Sequence, residues 1–594
     1  MKAFIFIIFT FFTFQLMSKP CNIAYKVSFP KPSNHYAHIE MTVWGFSESI
    51  ITAKLPVWTP GSYLVREFSK NVEGLVVKNG LGKEIPHSKS DKNAWKINVS
   101  GQKEITISYD VYCFELSVRT SFVEDEQAFL NGANIFMYIE GSQSASSVIS
   151  FFPDDNWKEI STSLKIQASN KWTRFAANYD ELVDSPILIS THPIIKFKAA
   201  GIPHEIAIQG ISNMDEKKLV SDLTKIIEEE LKLFGGTHPC KKYLFIIHNT
   251  EKQGGGLEHL NSSANMIPRF NYGFRDKYLA GVSLLSHEYF HLWNAKRIRP
   301  IELGPFNYGE ENYTKLLWVV EGFTSYYDNY LVHKGGVSSK SEYLDLLELD
   351  LNKQINAFGE RVQSVTESSF DTWIKYYRPN ENSNNTTVSY YTKGSLISLC
   401  LNFILLDATN GAKSLDDVMR ALWAQYLKNP NIGYTEADVL KTFEKVGGIK
   451  LKDFFENYIY KAGEIDYNKY FNLVGYELVD KNEGTEKVTL GLNYKISDGK
   501  MWVTEVLKNQ SAYEAGLSVN DELIAIDGFR IGDDLSKFVM NKKEGDSFKI
   551  LVNRSGLLKE IELVLLKDSK NEMNIVAIES ASEKQLKLRK IWLP

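Results

Sequence analysis

A pair of histidines separated by three residues is the strongest chemical signal in the sequence. The run His287-Glu288-Tyr289-Phe290-His291 has the pattern His-Glu-x-x-His. On a helix, residues four apart lie on one face, so both imidazoles can bind one metal ion while Glu288 reaches a water molecule beside it. The pattern predicts one zinc ion per chain, with Glu288 as the general base. The alternative is two histidines that belong only to the core or the surface.

A third ligand is expected, because catalytic zinc commonly has three protein ligands and one open position. The segment Lys315–Tyr327 predicts an apolar and aromatic helix in which Glu321 is an isolated acid. A buried carboxylate without a cation is costly, so Glu321 is expected to face the metal. The alternative is that Glu321 pairs with Arg297 or Arg299.

A tyrosine pair is a candidate source of the hydroxyl that a developing oxyanion needs. Tyr390 and Tyr391 stand where an apolar core helix, which includes Leu396–Leu406, is predicted to begin. A phenolic hydroxyl there can donate to a carbonyl oxygen as negative charge develops. The residues themselves leave open which tyrosine acts, and an aromatic side chain at a helix entry without a catalytic role is the alternative.

A glycine-rich run follows a predicted buried strand over residues 243–248. It contains Gly255, Gly256 and Glu258. Glycines allow a backbone to approach a peptide closely, as an edge strand that pairs with substrate must, and a neighbouring glutamate can bind a free α-amino group. The alternative is a flexible turn with a solvated glutamate. Glu258 is therefore a candidate to bind the amino end of a peptide.

Length and composition indicate a globular protein of several domains. The chain has 594 residues, of which 43% are hydrophobic and 24% are charged. These fractions are close to the averages of soluble globular proteins, and the length exceeds that of one ordinary core. The formal net charge is -5. Without a basic patch, such a chain is not expected to bind nucleic acid.

The first 20 residues predict a signal peptide. Lys2 is followed by an apolar run, Ala3–Met17, that is short for a membrane span. We therefore expect export to the periplasm or the extracellular space, with no membrane attachment after cleavage. An uncleaved N-terminal anchor is the alternative. The four cysteines form no Cys-x-x-Cys pair, and their disulfide pairing is left open.

Changes in the spacing of hydrophobic residues along the chain predict a multidomain α+β protein. Residues 21–190 contain short alternating runs that are typical of an all-β domain. Residues 191–470 form the predicted catalytic domain. It contains a helix with one apolar face that ends at Gly235, and its C-terminal half is mainly helical. Residues 471–570 return to short strands, and residues 571–594 form a charged tail.

Four segments together resemble the glycyl aminopeptidase family of zinc metallopeptidases. They are LPVWTPGSYLVREFSKNV, GGGLEH, HEYFHLWNAKRIRP and WVVEGFTSYYD, and they occur in this order. With the C-terminal segment described below, the resemblance runs over nearly the whole mature chain. The resemblance implies a β-sandwich-like N-terminal domain and a thermolysin-like catalytic domain of the gluzincin type. It also implies that Glu321, in the pattern Trp318-x-x-Glu321-Gly-Phe, is the third ligand, and that Tyr391 rather than Tyr390 assists catalysis.

The resemblance further implies a C-terminal PDZ domain. The run LGLNYKISDGKMWVTEVLKNQSAYEAGLSVNDELIAIDGFRI resembles one, although the usual Pro after Ser and Gly before Asp are absent. A working groove would bind a peptide C-terminus by strand addition. A small β-domain without peptide binding is the alternative.

The function that follows is a zinc-dependent aminopeptidase. The resemblance implies that it removes small N-terminal residues, Gly or Ala, from peptides through a zinc-bound water that Glu288 activates. Two alternatives remain. One is a zinc endopeptidase with the same metal site, and the other is a catalytically inactive scaffold that binds peptides through the PDZ domain.

Overall fold

The computed structural model describes residues 20–167 and 170–594, and it divides into two compact units. The first unit contains the described residues up to Thr59 together with Glu67–His192, and the second contains Pro60–Arg66 and Pro193–Pro594. The predicted signal peptide lies outside the described residues except for Pro20. No helix within the described ranges is long and apolar enough to cross a bilayer.

The first unit is rich in sheet. Its strands are β1 (Asn22–Ser28), β2 (Tyr36–Trp44), β3 (Ile50–Lys54), β4 (Val72–Asn79), β5 (His87–Asp91), β6 (Ala94–Asn98), β7 (Glu104–Tyr112), β8 (Phe122–Glu124), β9 (Gln127–Leu130), β10 (Tyr138–Ile139), β11 (Ser147–Phe152), β12 (Glu159–Ser161), β13 (Lys165–Ile166), β14 (Thr173–Ala176) and β15 (Ile187–Ser190), and its helices are α1 (Gly132–Ile135) and α2 (Tyr179–Val183). Seven strands form a sheet in the order β13-β14-β11-β1-β2-β7-β4, and two four-stranded sheets have the orders β10-β3-β6-β5 and β12-β15-β9-β8.

Alternation of side chains explains why the first unit forms sheets. In β2, Ile39, Met41 and Val43 are fully buried while the residues between them are partly exposed. Successive side chains of a strand point to opposite faces, so this alternation covers one face with core residues. The predicted sheet-rich N-terminal domain is confirmed, and its sandwich arrangement stays a prediction.

The second unit begins with a five-stranded mixed sheet. Its elements are β16 (Ile194–Ala199), β17 (Ile202–Gln209), α3 (Glu216–Leu233), β18 (Tyr243–Thr250), β19 (Gly255–His259), β20 (Ser262–Pro268) and α4 (Arg275–Phe290). The strand order is β16-β17-β18-β20-β19, so the glycine-rich run lies on the edge strand β19. Every residue of β18 is buried, and α4 packs against both β19 and β20.

The rest of the catalytic region is helical. Its helices are α5 (Leu317–Lys334), α6 (Lys340–Ile355), α7 (Val365–Phe370), α8 (Ser383–Thr386), α9 (Thr392–Ala408), α10 (Leu415–Lys428), α11 (Glu436–Gly447), α12 (Lys452–Tyr458) and α13 (Tyr467–Leu473). Capping boxes at Ser414 and Thr435 begin α10 and α11. The predicted helical middle region is confirmed.

The last part of the chain leaves this helical region and returns to it. Its elements are β21 (Tyr476–Asp480), β22 (Val488–Thr489), β23 (Leu492–Ser497), β24 (Lys500–Val506), α14 (Ser511–Ala515), β25 (Glu522–Ile526), β26 (Phe529–Arg530), α15 (Ser536–Val539), β27 (Ser547–Arg554), β28 (Leu557–Val564), β29 (Leu566–Lys567), β30 (Met573–Ala577) and α16 (Glu583–Trp592). Strands β23 to β28 form a six-stranded sheet with its own apolar core, and β21 pairs with β30.

Residues 571–594 are not a free tail, in contrast to the sequence-based expectation. They contain β30 and α16, and Trp592 is 1% exposed. The ring of Trp592 packs edge-on against Phe403 of α9 at 4.6 Å between ring centroids. The charged residues of this segment lie on the solvent face of an amphipathic helix, whose few apolar residues are sufficient to anchor it.

Candidate active site

Helices α4 and α5 bring the two histidines and Glu321 together. His287 lies in the last turn of α4, and His291 caps its C-terminal end. Oε2 of Glu321 lies 3.4 Å from Nε2 of His287 and 3.3 Å from Nε2 of His291. These ligand atoms all lie within 4.8 Å of one another, and Glu321 is 2% exposed. The three predicted metal ligands therefore converge on one buried point.

Second-layer contacts fix how the imidazoles face that point. Nδ1 of His291 lies 2.7 Å from the carbonyl oxygen of Asn294, and Nδ1 of His287 lies 3.1 Å from Oδ2 of Asp328. Both partners are hydrogen-bond acceptors, so Nδ1 donates in each case and the Nε2 lone pairs of both imidazoles can bind a cation that the carboxylate of Glu321 also faces. Metal-binding histidines in proteins are usually held in this way.

The donor set fits a divalent cation. Two neutral imidazole nitrogens and one carboxylate oxygen are the ligands that catalytic zinc takes in many sites, with a fourth position left open. A cation would also neutralise the buried carboxylate of Glu321. Burial alone raises the pKa of this group, but the neighbouring His291 and His287 lower it to about 2. This group of residues can hold a metal ion.

Arg297 and Arg299, the alternative partners of Glu321, face other groups. Arg297 donates to the carbonyl oxygens of Leu260 and Leu292, at 3.1 and 2.7 Å. Arg299 donates to the carbonyl oxygen of Leu303 at 3.1 Å. Glu321 contacts the two histidines instead.

Glu288 lies beneath the edge strand β19. A Cβ atom built on Gly256 would lie only 2.1 Å from Oε1 of Glu288, so any larger residue at that position would displace the carboxylate. Burial raises the pKa of Glu288 to about 7, against the opposing effect of His287 and His291. A carboxyl group with a pKa near neutrality is suited to accept and return a proton.

Glu258 reaches the same centre from β19. Its ligand atom lies within 4.8 Å of those of Glu288 and His291, and the side chain is 5% exposed. Gly255 precedes it with a φ of 125°, a conformation that favours glycine. The strand β19, which is the last strand of its sheet, thus places a second buried acid beside Glu288.

The two tyrosines differ in their surroundings. Tyr390 is fully buried, and its hydroxyl lies 2.9 Å from the hydroxyl of Thr372. Tyr391 is partly exposed, and its ring lies 6.3 Å from that of His287 between centroids. Burial and the charge of Glu321 raise the pKa of Tyr391 well above its usual value, which keeps its hydroxyl protonated. The structure therefore places Tyr391 beside the candidate metal site.

Close packing of α5 against α9 makes this placement possible. A Cβ atom on Gly322 would lie 2.6 Å from the Cα atom of Gly394, so the two backbones touch where these glycines meet. At the start of α9, the Lys393 ammonium group is fully buried, lies 3.1 Å from the carboxylate of Glu360 and donates to the carbonyl oxygen of Gly463 at 2.9 Å. These contacts anchor the turn that carries Tyr391.

Sequence reasoning missed two residues that orient the ligands, Asp328 and Asn294. Asp328 lies seven residues after Glu321 on α5, which places both on one helix face. That spacing could have predicted that Asp328 lies near the metal ligands. Asn294 donates from its side chain to the carbonyl oxygens of Val319 and Val320, which ties the end of α4 to α5.

Comparisons with known proteins identify related chains. The family model described as the Peptidase M61 N-terminal domain matches residues 24–191, and the M61 glycyl aminopeptidase model matches residues 280–397. An aminopeptidase N family protein from Idiomarina loihiensis, of known crystal structure, is 31% identical with a TM-score of 0.88, and the alignment covers 96% of this chain and 100% of that chain. A search of curated proteins finds no match.

More distant solved structures are also similar. An M1 zinc metallopeptidase from Deinococcus radiodurans is 10% identical with a TM-score of 0.46, over 73% of this chain and 92% of that chain. Yeast LTA4 hydrolase is 11% identical with a TM-score of 0.43, over 76% of this chain and 68% of that chain.

Proposed function

Because the chain belongs to the M61 glycyl aminopeptidase family and is therefore a metallopeptidase, we propose that it is a zinc-dependent aminopeptidase. Its substrates are peptides with a small first residue, Gly or Ala. One observation carries the proposal: the buried acid Glu258 lies next to the general base and the metal-binding histidine. Only two bonds separate the terminal nitrogen of a peptide from its first carbonyl carbon, so the acid that binds the nitrogen must lie close to the groups that act on the carbonyl.

The residues of the metal group supply the hydrolytic chemistry. His287, His291 and Glu321 would hold zinc, which, when bound, polarises a carbonyl group and makes water more acidic. Glu288 accepts the proton of the attacking water and returns it to the leaving amine. Its position under Gly256 keeps the carboxylate close to β19, the edge strand along which the substrate peptide would bind.

Tyr391 stabilises the charge that develops on the carbonyl oxygen. Its hydroxyl remains protonated at neutral pH because burial and Glu321 raise its pKa. A fixed donor aimed at a developing oxyanion stabilises the transition state more than the substrate.

Glu258 binds the free ammonium group of the substrate. A buried carboxylate without a cation is costly, and a substrate ammonium group neutralises it only when the chain end is free. An internal peptide bond offers a neutral N–H at this position. This argument favours the aminopeptidase over the endopeptidase, and the complete set of ligands and base favours an enzyme over an inactive scaffold.

We propose that the region predicted as a PDZ domain, residues 471–570, folds as one through its strands and short helices between residues 488 and 567. In support, β23 forms one edge of the six-stranded sheet, and most of its residues are exposed. Gly491, at a φ of 69°, precedes this edge strand. An open edge can pair with the C-terminal strand of a peptide. The helix α15 is only one turn long, which is a departure from the usual PDZ pattern.

Export remains part of the proposal. The N-terminal apolar run supports a signal peptide, and the protein would then act on peptides in the periplasm or outside the cell. No membrane attachment or nucleic acid is proposed.

The test compares free and N-acetylated Ala-Gly-Gly with wild-type enzyme and Glu258→Gln. Wild type is expected to cleave only the free peptide. Glu258→Gln is expected to lower kcat/KM on the free peptide by about 100-fold, since the ammonium loses its charged partner. Glu251→Gln, an exposed change on the preceding loop, is the matched control. Equal cleavage of both peptides by wild type would instead establish an endopeptidase.

A further inference from the structure

A short segment from early in the chain belongs to the catalytic unit. Pro60–Arg66 lies between stretches that form the first unit, yet it groups with the second. The excursion contains Gly61 at a φ of 86°, which is unfavourable for residues with a side chain. Loops that a rigid scaffold positions often carry residues that bind substrates.

Gly61 lies directly against Glu258. A Cβ atom at Gly61 would lie 2.6 and 2.7 Å from the two carboxylate oxygens of Glu258, and 2.7 Å from a methyl group of Leu257. The backbone of the segment therefore touches the acid that is proposed to bind the substrate ammonium group. The segment reaches the amino-terminal end of the substrate site.

Tyr63 follows two residues later and is fixed in place by aromatic neighbours. It is 2% exposed, and its ring lies edge-on to Trp373 at 5.7 Å and to Tyr377 at 6.4 Å between centroids. Trp373 is itself buried. An aromatic ring packed in this way has little freedom to move aside.

Two acids of the candidate site act electrostatically on the phenol of Tyr63. Burial raises its pKa well above the usual value, and the nearby carboxylates of Glu321 and Glu258 add to this effect. The first residue of a bound peptide spans the gap between these acids, because its amine faces Glu258 and its carbonyl faces the metal group. Its side chain must therefore extend past the groups that line this gap.

We propose that Pro60–Arg66 closes the amino-terminal end of the substrate site, and that Tyr63 is the residue that limits the size of the substrate's first side chain. The inference rests on the proposed aminopeptidase function and deepens it. Gly and Ala fit in front of the Tyr63 ring, whereas Leu and Phe would overlap it. Steric exclusion by a fixed ring discriminates more strongly than a flexible pocket.

The experiment measures kcat/KM for Ala-Gly-Gly and Leu-Gly-Gly with wild type, Tyr63→Phe, Tyr63→Leu and Tyr63→Ala. The ratio of kcat/KM for Leu-Gly-Gly to kcat/KM for Ala-Gly-Gly, the Leu/Ala ratio, is expected to rise at least about tenfold in Tyr63→Ala and less in Tyr63→Leu. Tyr63→Phe keeps the ring and is expected to leave the ratio unchanged. Circular dichroism identifies folded variants, and Tyr63→Leu, the smaller truncation, decides the matter if Tyr63→Ala does not fold.

A binding measurement provides a second readout. The same substitutions in a Glu288→Gln background, in which peptides are bound but not hydrolysed, should raise the affinity for Leu-Gly-Gly relative to Ala-Gly-Gly by a similar factor in calorimetry. An unchanged Leu/Ala ratio in a folded Tyr63→Ala or Tyr63→Leu protein would overturn the inference. If wild type cleaved no free peptide at all, the proposed function would fail first, and the inference with it.

Discussion

The two ends of the candidate site are built from different kinds of structure. The hydrolytic end, with His287, His291, Glu321 and Tyr391, lies on three helices that pack closely. The recognition end, with Glu258, lies on an edge strand and on the Pro60–Arg66 segment. Packed helices hold ligands within narrow limits, whereas an edge strand and a loop can vary in sequence without disturbing them. The first end should set the rate for any peptide, and the second should select the peptide.

The largest effect is expected at the hydrolytic end. Glu288→Gln should lower kcat by about 1,000-fold, because the amide cannot accept the proton of water. Zinc content, measured by atomic absorption, should stay near one ion per chain. A variant that binds zinc normally and keeps its activity would remove Glu288 from the mechanism.

The tyrosine pair offers an internal control for the same end. Tyr391→Phe should lower kcat by about 100-fold with little change in KM, since the hydroxyl acts only on the developing charge. Tyr390→Phe removes an equivalent hydroxyl that bonds to Thr372, and should cost about 1 kcal/mol of stability with little effect on kcat. The reverse result would assign the role to Tyr390.

Gly256 lies where the two ends meet, and its substitution should produce a smaller loss. Gly256→Ala places a methyl group against the Glu288 carboxylate, which must shift, and kcat should fall about tenfold while zinc stays bound. Gly254→Ala is the matched control, because the nearest atom to its Cβ lies 3.8 Å away. Equal kinetics of the two variants would show that the base tolerates displacement.

The smallest effect concerns stability alone, at a hydrogen-bond network behind α4, the helix of the two candidate metal-binding histidines. The Tyr289 hydroxyl lies 2.9 Å from Nε2 of His204 and 2.7 Å from Nε2 of His238. Nδ1 of His204 faces the carbonyl oxygen of Ile202, so His204 donates there and accepts from Tyr289. Nε2 of His238 then donates to the Tyr289 oxygen, and both histidines must be neutral.

Burial lowers the pKa of both His204 and His238 to about 4, below the value of about 6.5 expected for the unfolded chain. The unfolded chain therefore takes up more protons as the pH falls from about 6.5 to about 4, and the free energy of unfolding decreases over this window. Urea midpoints at pH 7.5 and pH 5 should show the decrease. It should become smaller in a His204→Asn, His238→Asn double variant, and an unchanged pH dependence would contradict the assignment.

The three residues that meet at the candidate metal site are those that the sequence predicts, because their signals are local. A helical period places His287 and His291 on one face, and an isolated acid in an apolar helix identifies Glu321 without knowledge of the fold. The sheet-rich N-terminal region and the helical middle region also follow from periodicity. The family resemblance, now confirmed, favours Tyr391 over Tyr390, which the residues alone left open.

Other features depend on contacts between segments that are far apart in sequence. The quoted segment around Gly61 and Tyr63 contributed to the resemblance, but nothing local shows that it reaches Glu258. Similarly, the contact between Gly322 and Gly394 links two helices whose separate sequences give no sign of it. The sequence predicts a charged tail that includes Trp592, because the few apolar residues of this amphipathic helix give only a weak helical period.

The pairing of β21 with β30 makes the intervening β-rich segment an insertion rather than an appendage. Asp480 faces Met573 across this two-stranded stem, and beyond it Trp592 accepts a hydrogen bond from Tyr330 through its carbonyl oxygen at 3.0 Å. Truncation from the C-terminus would therefore remove the contacts of Trp592 with Tyr330 on α5, the helix that carries Glu321, and with Phe403 on α9, the helix that Tyr391 precedes. A deletion of the β-rich segment that joins Asp480 to Met573 by a short loop should instead leave the candidate metal site intact.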